Sequence, residues 1–162
     1  MSDAVGTKRI HEYLAQVTWE GNLGQGTSNY TSYSRSYRVH IAGKPDLAGT
    51  ADPMFRGEPD KHNPEDLFLT ALATCHMLSY LALCARKGIQ VIGYEDEARG
   101  VLALEPRGGG RFEEVTLRPV VTIADAEHVA LAEQLHDTAH DLCFIANSCS
   151  APVHHEATVQ VH

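Results

Sequence analysis

The chain has 162 residues, of which 43% are hydrophobic and 21% charged. That is one ordinary domain's length with enough apolar material for a core, which excludes a disordered chain. Lys and Arg number 13 against 21 Asp and Glu, a formal net charge of -8, so the basic footprint of a nucleic-acid binder is missing. Residues 1–11 are polar and read as a loose tail. No apolar signal segment is evident at the start, so cytoplasm is the expected compartment. Thiols stay reduced there. The four cysteines, at 75, 84, 143 and 149, are therefore expected as core fillers, metal ligands or redox groups, not as a disulfide framework.

Tyr13, Ala15, Val17 and Trp19 alternate with polar positions and predict a first strand. A loop rich in Gly, Ser, Thr and Asn follows over 21–34. Tyr37, Val39 and Ile41 predict a second strand, closed by the turn residues Gly43-Lys44-Pro45-Asp46. Residues 52–62 carry Pro53, Gly57 and Pro59 and read as a long loop. Asn63 is a suitable N-cap, Pro64 fits the first helical position, and Glu65 and Asp66 suit the positive end of the dipole. The run 67–85 contains no Asp, Glu, Lys or Arg. It approaches the ~20 residues of a bilayer span, but Thr70, Thr74, His76, Ser79 and Tyr80 dilute it. The expectation is a central helix of a soluble protein, buried on most sides and ended at Gly88.

Residues 91–104 predict two short strands or one bent strand. Gly108-Gly109-Gly110 predicts a hairpin turn, since no phosphate-loop spacing surrounds it. Residues 112–123 predict one further strand. Asp125 is the expected cap of a second helix reaching Leu142, with Val129, Ala132, Leu135, Ala139 and Leu142 on its inner face. Residues 153–161 predict a final strand. The order suggests a single α+β domain over 1–162, with antiparallel sheets wrapped around buried central helices.

Cys75 falls mid-way along the first helix and Cys143 at the end of the second. Two small core hydrophobes, or two thiols that meet, both fit this placement. His136, His140 and Cys143 fall at i, i+4 and i+7, a stripe that can hold zinc. Polar helix surface is the alternative for those histidines. His76 points about 100° away from Cys75 and reads as a core or interface histidine. His154 and His155 read as surface, Cys84 as core and Cys149 as a buried loop residue.

The run Asn63-Pro64-Glu65-Asp66-Leu67 through Ala71, Ala73 and Cys75 resembles the signature helix of the OsmC/Ohr family, the osmotically inducible and organic hydroperoxide resistance proteins. The later strand, the helix ending Ala139-His140-Asp141-Leu142-Cys143 and the last strand agree in order. This resemblance implies an OsmC-like fold in an intertwined homodimer, without a membrane partner. It implies a thiol-dependent peroxidase, an oxidoreductase that reduces organic and inorganic hydroperoxides without a cofactor. Cys75 would be the peroxidatic cysteine and Cys143 the resolving one. Glu65 would help to orient a catalytic arginine, for which Arg35 is the expected residue, Arg38 the reserve and Arg56 a weaker candidate. An external dithiol, such as a dihydrolipoyl group, would reset the enzyme. Many relatives carry Cys-Pro after the second helix, where this chain has Cys143-Phe144.

One geometric expectation is independent of the resemblance. Ten helical residues span ~15 Å and turn the side chain by roughly 80°. Glu65 therefore cannot easily reach Cys75 of its own helix, and a shared site would draw Glu65 from a second subunit or require a break in the helix. Two other readings compete with the peroxidase. One is a metal-binding protein using His136, His140 and Cys143. The other is a non-catalytic, redox-sensing member of the fold.

Overall fold

In the computed structural model residues 9–162 are described, and they form two compact units that meet in sequence at Pro64 and Glu65. Most of the predicted tail lies outside the described residues; Arg9, Ile10 and His11 are exposed. The first unit is a three-stranded antiparallel sheet of β1 (Gln16–Trp19), β2 (Tyr37–His40) and β3 (Leu47–Gly49), in that order. The register pairs Val17 with Val39 and Tyr37 with Gly49. β3 was not expected, because three residues are too few to show a period. Gly49 is needed there, since a Cβ would sit 2.3 Å from the Tyr37 ring. Every residue of β1 is exposed, and Trp19 at its end packs edge-on against Tyr33.

The second unit is built on α1 (Pro64–Arg86). Its start follows the expected chemistry, with Pro64 at the first position and Glu65 and Asp66 in the first turn. Gly88, at φ 75°, ends it in the left-handed region. After α1 come β4 (Val91–Asp96), β5 (Arg99–Leu104), β6 (Gly110–Leu117), β7 (Pro119–Ile123), α2 (Val129–Leu142), β8 (Val153–His155) and β9 (Thr158–Val161). These strands form two separate sheets, ordered β4-β7-β9 and β5-β6-β8. The long strand expected over 112–123 is therefore two strands in different sheets, broken at Arg118-Pro119. The expected final strand is also split, at Glu156-Ala157. The sheets are not purely antiparallel either: β8 and β9 each join as a parallel edge.

α1 crosses both sheets. Its first half packs Leu72 with Val115 and Leu117 of β6. Its second half packs Tyr80 and Cys84 with Val121 and Ile123 of β7 and with Ala132, Leu135 and Ala139 of α2. Burial along α1 recurs at every fourth residue, at Leu72, His76, Tyr80 and Cys84. That stripe is narrower than the sequence suggests. α1 is long and apolar enough to cross a membrane, yet most of its face is open in the single chain, with Leu78 62% exposed. α2 differs from expectation at both ends. Asp125 makes no side-chain cap bond and precedes a short 3-10 turn, Ala126–His128. Leu142 is half exposed, and His136 takes its place on the buried face.

Candidate active site

The two cysteines of interest arrive from different helices. Cys75 sits one residue off the buried stripe of α1, so it faces the flank of the core and is partly exposed. Cys143 is the C-terminal cap of α2 and is 2% exposed. α2 stops here because Cys143 turns to extended backbone (φ -70°, ψ 108°). The chain then folds into a short turn whose Ala146 N–H donates to the Cys143 Sγ at 3.4 Å. Cys75 lies close enough to act on the Cys143 thiol. Both are free thiols. The sequence leaves open whether the two sulfurs meet, and the structure makes them neighbours.

Burial pushes the Cys143 thiol up from its ordinary value. Cys75 pushes the same way, while the backbone N–H groups of Ala146 and Ile145 oppose it. Cys143 is thus held as a neutral S–H beside Cys75. Along Cys75 runs an open groove of about 600 Å³. Leu78, Leu83, Leu142, Phe144 and Ile145 make its walls apolar, and Arg86 also lines it. Phe144, directly after Cys143, is 79% exposed. It widens the apolar wall beside the thiol pair.

The remaining cysteines match their expected places. Cys84 is fully buried beside Tyr80 in the larger core, and burial raises its thiol. Cys149 is half-buried in the turn after α2, its Sγ donating to the Ala146 carbonyl at 3.5 Å.

Glu65 lies on the first turn of α1, ten residues before Cys75. α1 is unbroken between them, so the ~15 Å separation expected from helical rise holds. Arg35 belongs to the first unit. Its guanidinium donates to the carbonyls of Tyr33 and Tyr30, each at 2.7 Å. It also stacks over both rings, 4.0 Å from the Tyr33 centroid and 4.4 Å from that of Tyr30. Arg38 is engaged differently, in a two-pronged bond to Glu20 at 2.7 and 3.1 Å, with Asp46 beyond. Arg56 adopts a left-handed backbone at φ 68°, closing the 3-10 turn Pro53–Phe55.

The histidines contain what sequence reasoning missed. His136 and His155 do not lie on the surface as expected. His136 is 1% exposed, as is His76. The His76 Nε2 and His136 Nδ1 are hydrogen-bonded at 3.1 Å. The Tyr80 ring stacks on His136 at 3.9 Å between centroids. His155 is half-buried at the edge of the group, 5.6 Å from His76 and 6.0 Å from His136, and pairs with Asp137 at 3.2 Å. Burial is the main cause that lowers His76 to about 4 and His136 to about 3, and neighbouring imidazoles add to it. Both rings are neutral at pH 7. The signal was present in the spacing: His76 lies between Leu72 and Tyr80 at steps of four, and His136 continues the Ala132–Ala139–Cys143 face.

Among the described residues, no group of three or more His, Cys, Asp or Glu side chains has metal-holding geometry. The stripe suggested for zinc is divided, with His136 turned to His76 and Cys143 to Cys75.

The family model for OsmC-like protein matches residues 57–158. The chain belongs to the OsmC family. It is 26% identical over 147 residues to YmaD, an uncharacterised protein of Bacillus subtilis, covering 88% of this chain and 89% of that one. An OsmC-like protein of unknown function from Vibrio cholerae has the same fold, with a TM-score of 0.82 at 30% identity, over 92% of this chain and 100% of that one. An organic hydroperoxide resistance protein from Elizabethkingia anophelis also shares the fold, with a TM-score of 0.67 at 19% identity, over 96% of this chain and 99% of that one. The OsmC-like α+β architecture expected from the sequence is therefore the one observed.

Proposed function

We propose that this OsmC-family protein is a thiol-dependent peroxidase that reduces organic hydroperoxides and is recycled by a dithiol. One observation supports this reading above the others: the free thiols of Cys75 and Cys143 are neighbours, and Cys75 lines an apolar groove. The roles follow from the difference between the two sulfurs. Cys143 is buried and kept protonated, so it can donate its S–H to a Cys75 thiolate and lower the cost of that charge. Cys75, partly exposed, is the sulfur a substrate can reach.

In the first step the Cys75 thiolate attacks the distal peroxide oxygen. The O–O bond breaks, the alkoxide takes up a proton and leaves as an alcohol, and Cys75 becomes a sulfenic acid. In the second step the Cys143 thiol condenses with that sulfenic acid. The S–S bond forms and water departs with the Cys143 proton. A dithiol, such as a dihydrolipoyl group, then exchanges with the disulfide and restores both thiols. An arginine suits the first step because it stays charged throughout and can stabilise both thiolate and alkoxide. Arg35 is the residue we assign, with Glu65 as its acidic partner.

A homodimer belongs to the same proposal. The open apolar face of α1 and the exposed strand β1 are surfaces that a second copy would cover. The ~15 Å between Glu65 and Cys75 supports it, because a second copy can bring its own Glu65 to this Cys75. The test is an assay with cumene hydroperoxide coupled to dithiol oxidation. The wild-type chain should turn over, and Cys75→Ser should lose the activity entirely. An unchanged rate in C75S would reject the assignment.

A further inference from the structure

α1 and α2 are joined at two points that come from neighbouring residues of α1. Cys75 neighbours Cys143, and His76, the next residue, is hydrogen-bonded to His136. On α2 the two partners lie seven residues apart, two full turns and ~10.5 Å of rise. One level of α1 is thus tied to two levels of α2. A single contact would fix only a separation; two contacts also fix the rotation of α2 about the thiol pair.

We propose that the buried His76–His136 pair is a positioning element, which holds α2 so that Cys143 stands at closing distance from Cys75. This rests on Cys75 and Cys143 being the working thiols of the proposed peroxidase.

The chemistry of the pair favours this over simple filling. Two neutral imidazoles at 3.1 Å form one hydrogen bond, with one ring donating and the other accepting. Each ring keeps one further nitrogen, Nδ1 of His76 and Nε2 of His136, that is buried and has no hydrogen-bond partner. Such groups are costly to bury, and an apolar pair of similar size would stabilise the core more. What the apolar pair lacks is direction. Apolar side chains slip past one another at little cost, whereas the N–H···N bond sets a length and an angle. The stacked rings of Tyr80 and His136, and the His155–Asp137 pair at the rim, limit how either imidazole can turn.

The test measures the effective concentration of the Cys75–Cys143 pair in a dithiol/disulfide redox buffer, which requires no hydroperoxide. His76→Phe keeps a stacked ring and removes the nitrogen that makes the bond. Its effective concentration should fall about tenfold, the size of one ordinary buried hydrogen bond, while circular dichroism shows the same folded signal. His76→Gln, whose amide nitrogen can occupy the place of Nε2, should recover most of the loss. His136→Phe provides the same comparison from α2 if H76F does not fold. A folded H76F or H136F with unchanged effective concentration overturns the positioning role, as does an H76Q that recovers nothing. The two proposals fail separately. A wild-type chain that closes the disulfide in the redox buffer but consumes no hydroperoxide overturns the peroxidase and leaves the positioning role standing. Closure that is equal in wild type and H76F, with normal turnover, does the reverse.

Discussion

His76 and His136 also set a pH dependence whose sign follows from their environment. Burial lowers His76 to about 4 and His136 to about 3 from an ordinary 6.5. In the unfolded chain both take up protons as pH drops below ~6.5. In the folded chain they resist until pH falls to about 4 and about 3. The unfolded state therefore binds more protons in this window, and stability falls as pH is lowered through it. The contribution is complete above ~6.5 and is lost progressively towards the folded-state values. The urea midpoint should be lower at pH 5 than at pH 7.5, and an H76F/H136F double variant should show a flatter profile. Equal midpoints for the wild type at both pH values would refute this. Sequence period alone placed Cys75 and Cys143 on suitable helices, and the family signature paired them. It misplaced His136 because a histidine scores as polar. Only the partner ring across the core shows that the position is buried.

At the scale of elements, three chain crossings between the two sheets meet at one place. β4 passes to β5 after Asp96, β6 to β7 at Arg118, and β8 to β9 at Glu156. Asp96 Oδ1 accepts the Arg118 backbone N–H at 2.7 Å, Arg118 Nε donates to Glu156 at 2.9 Å, and the Glu156 N–H donates to the Leu117 carbonyl at 2.8 Å. Asp96→Ala leaves the Arg118 N–H without its acceptor and should destabilise the fold by about 1–3 kcal/mol. Asp96→Asn retains an oxygen in the same place and should lose much less. Burial already raises the Asp96 carboxyl above its usual range, so removal of its charge carries little penalty. Urea unfolding compares the two; equal losses would show that the acceptor is not what matters. This junction was partly legible. Pro119 interrupts the apolar run 112–123, and a proline inside a strand pattern signals an edge or a break. Alternation on both sides concealed it. Which sheet each half would join depends on partners distant in the chain, and no local pattern carries that.

For the whole molecule, the apolar residues of α1 outnumber the positions that one chain buries. The composition of the run 67–85 predicts a helix buried on most sides, yet full burial is confined to one stripe. Composition reports the environment a helix requires, not which chain supplies it. If a second copy covers α1 and β1, sedimentation should give twice the mass of the chain, with no dissociation at low micromolar concentration. A monomer that retained full peroxidase activity would remove the argument that Glu65 acts across subunits.

The parallel edges of the second unit bear on how the protein is made. β6 pairs with β8, and β7 with β9. Both partners lie in residues 153–161, which are made only after α2. Until they are made, the central strand of each sheet presents an open edge of unpaired N–H and C=O groups, the form of strand most prone to join another chain. Neither sheet can be completed before residues 153–161 have emerged, and contacts of such long sequence separation form slowly. The growing chain therefore carries both edges open while α2 is being made, and its yield in a cell depends on how quickly β8 and β9 dock.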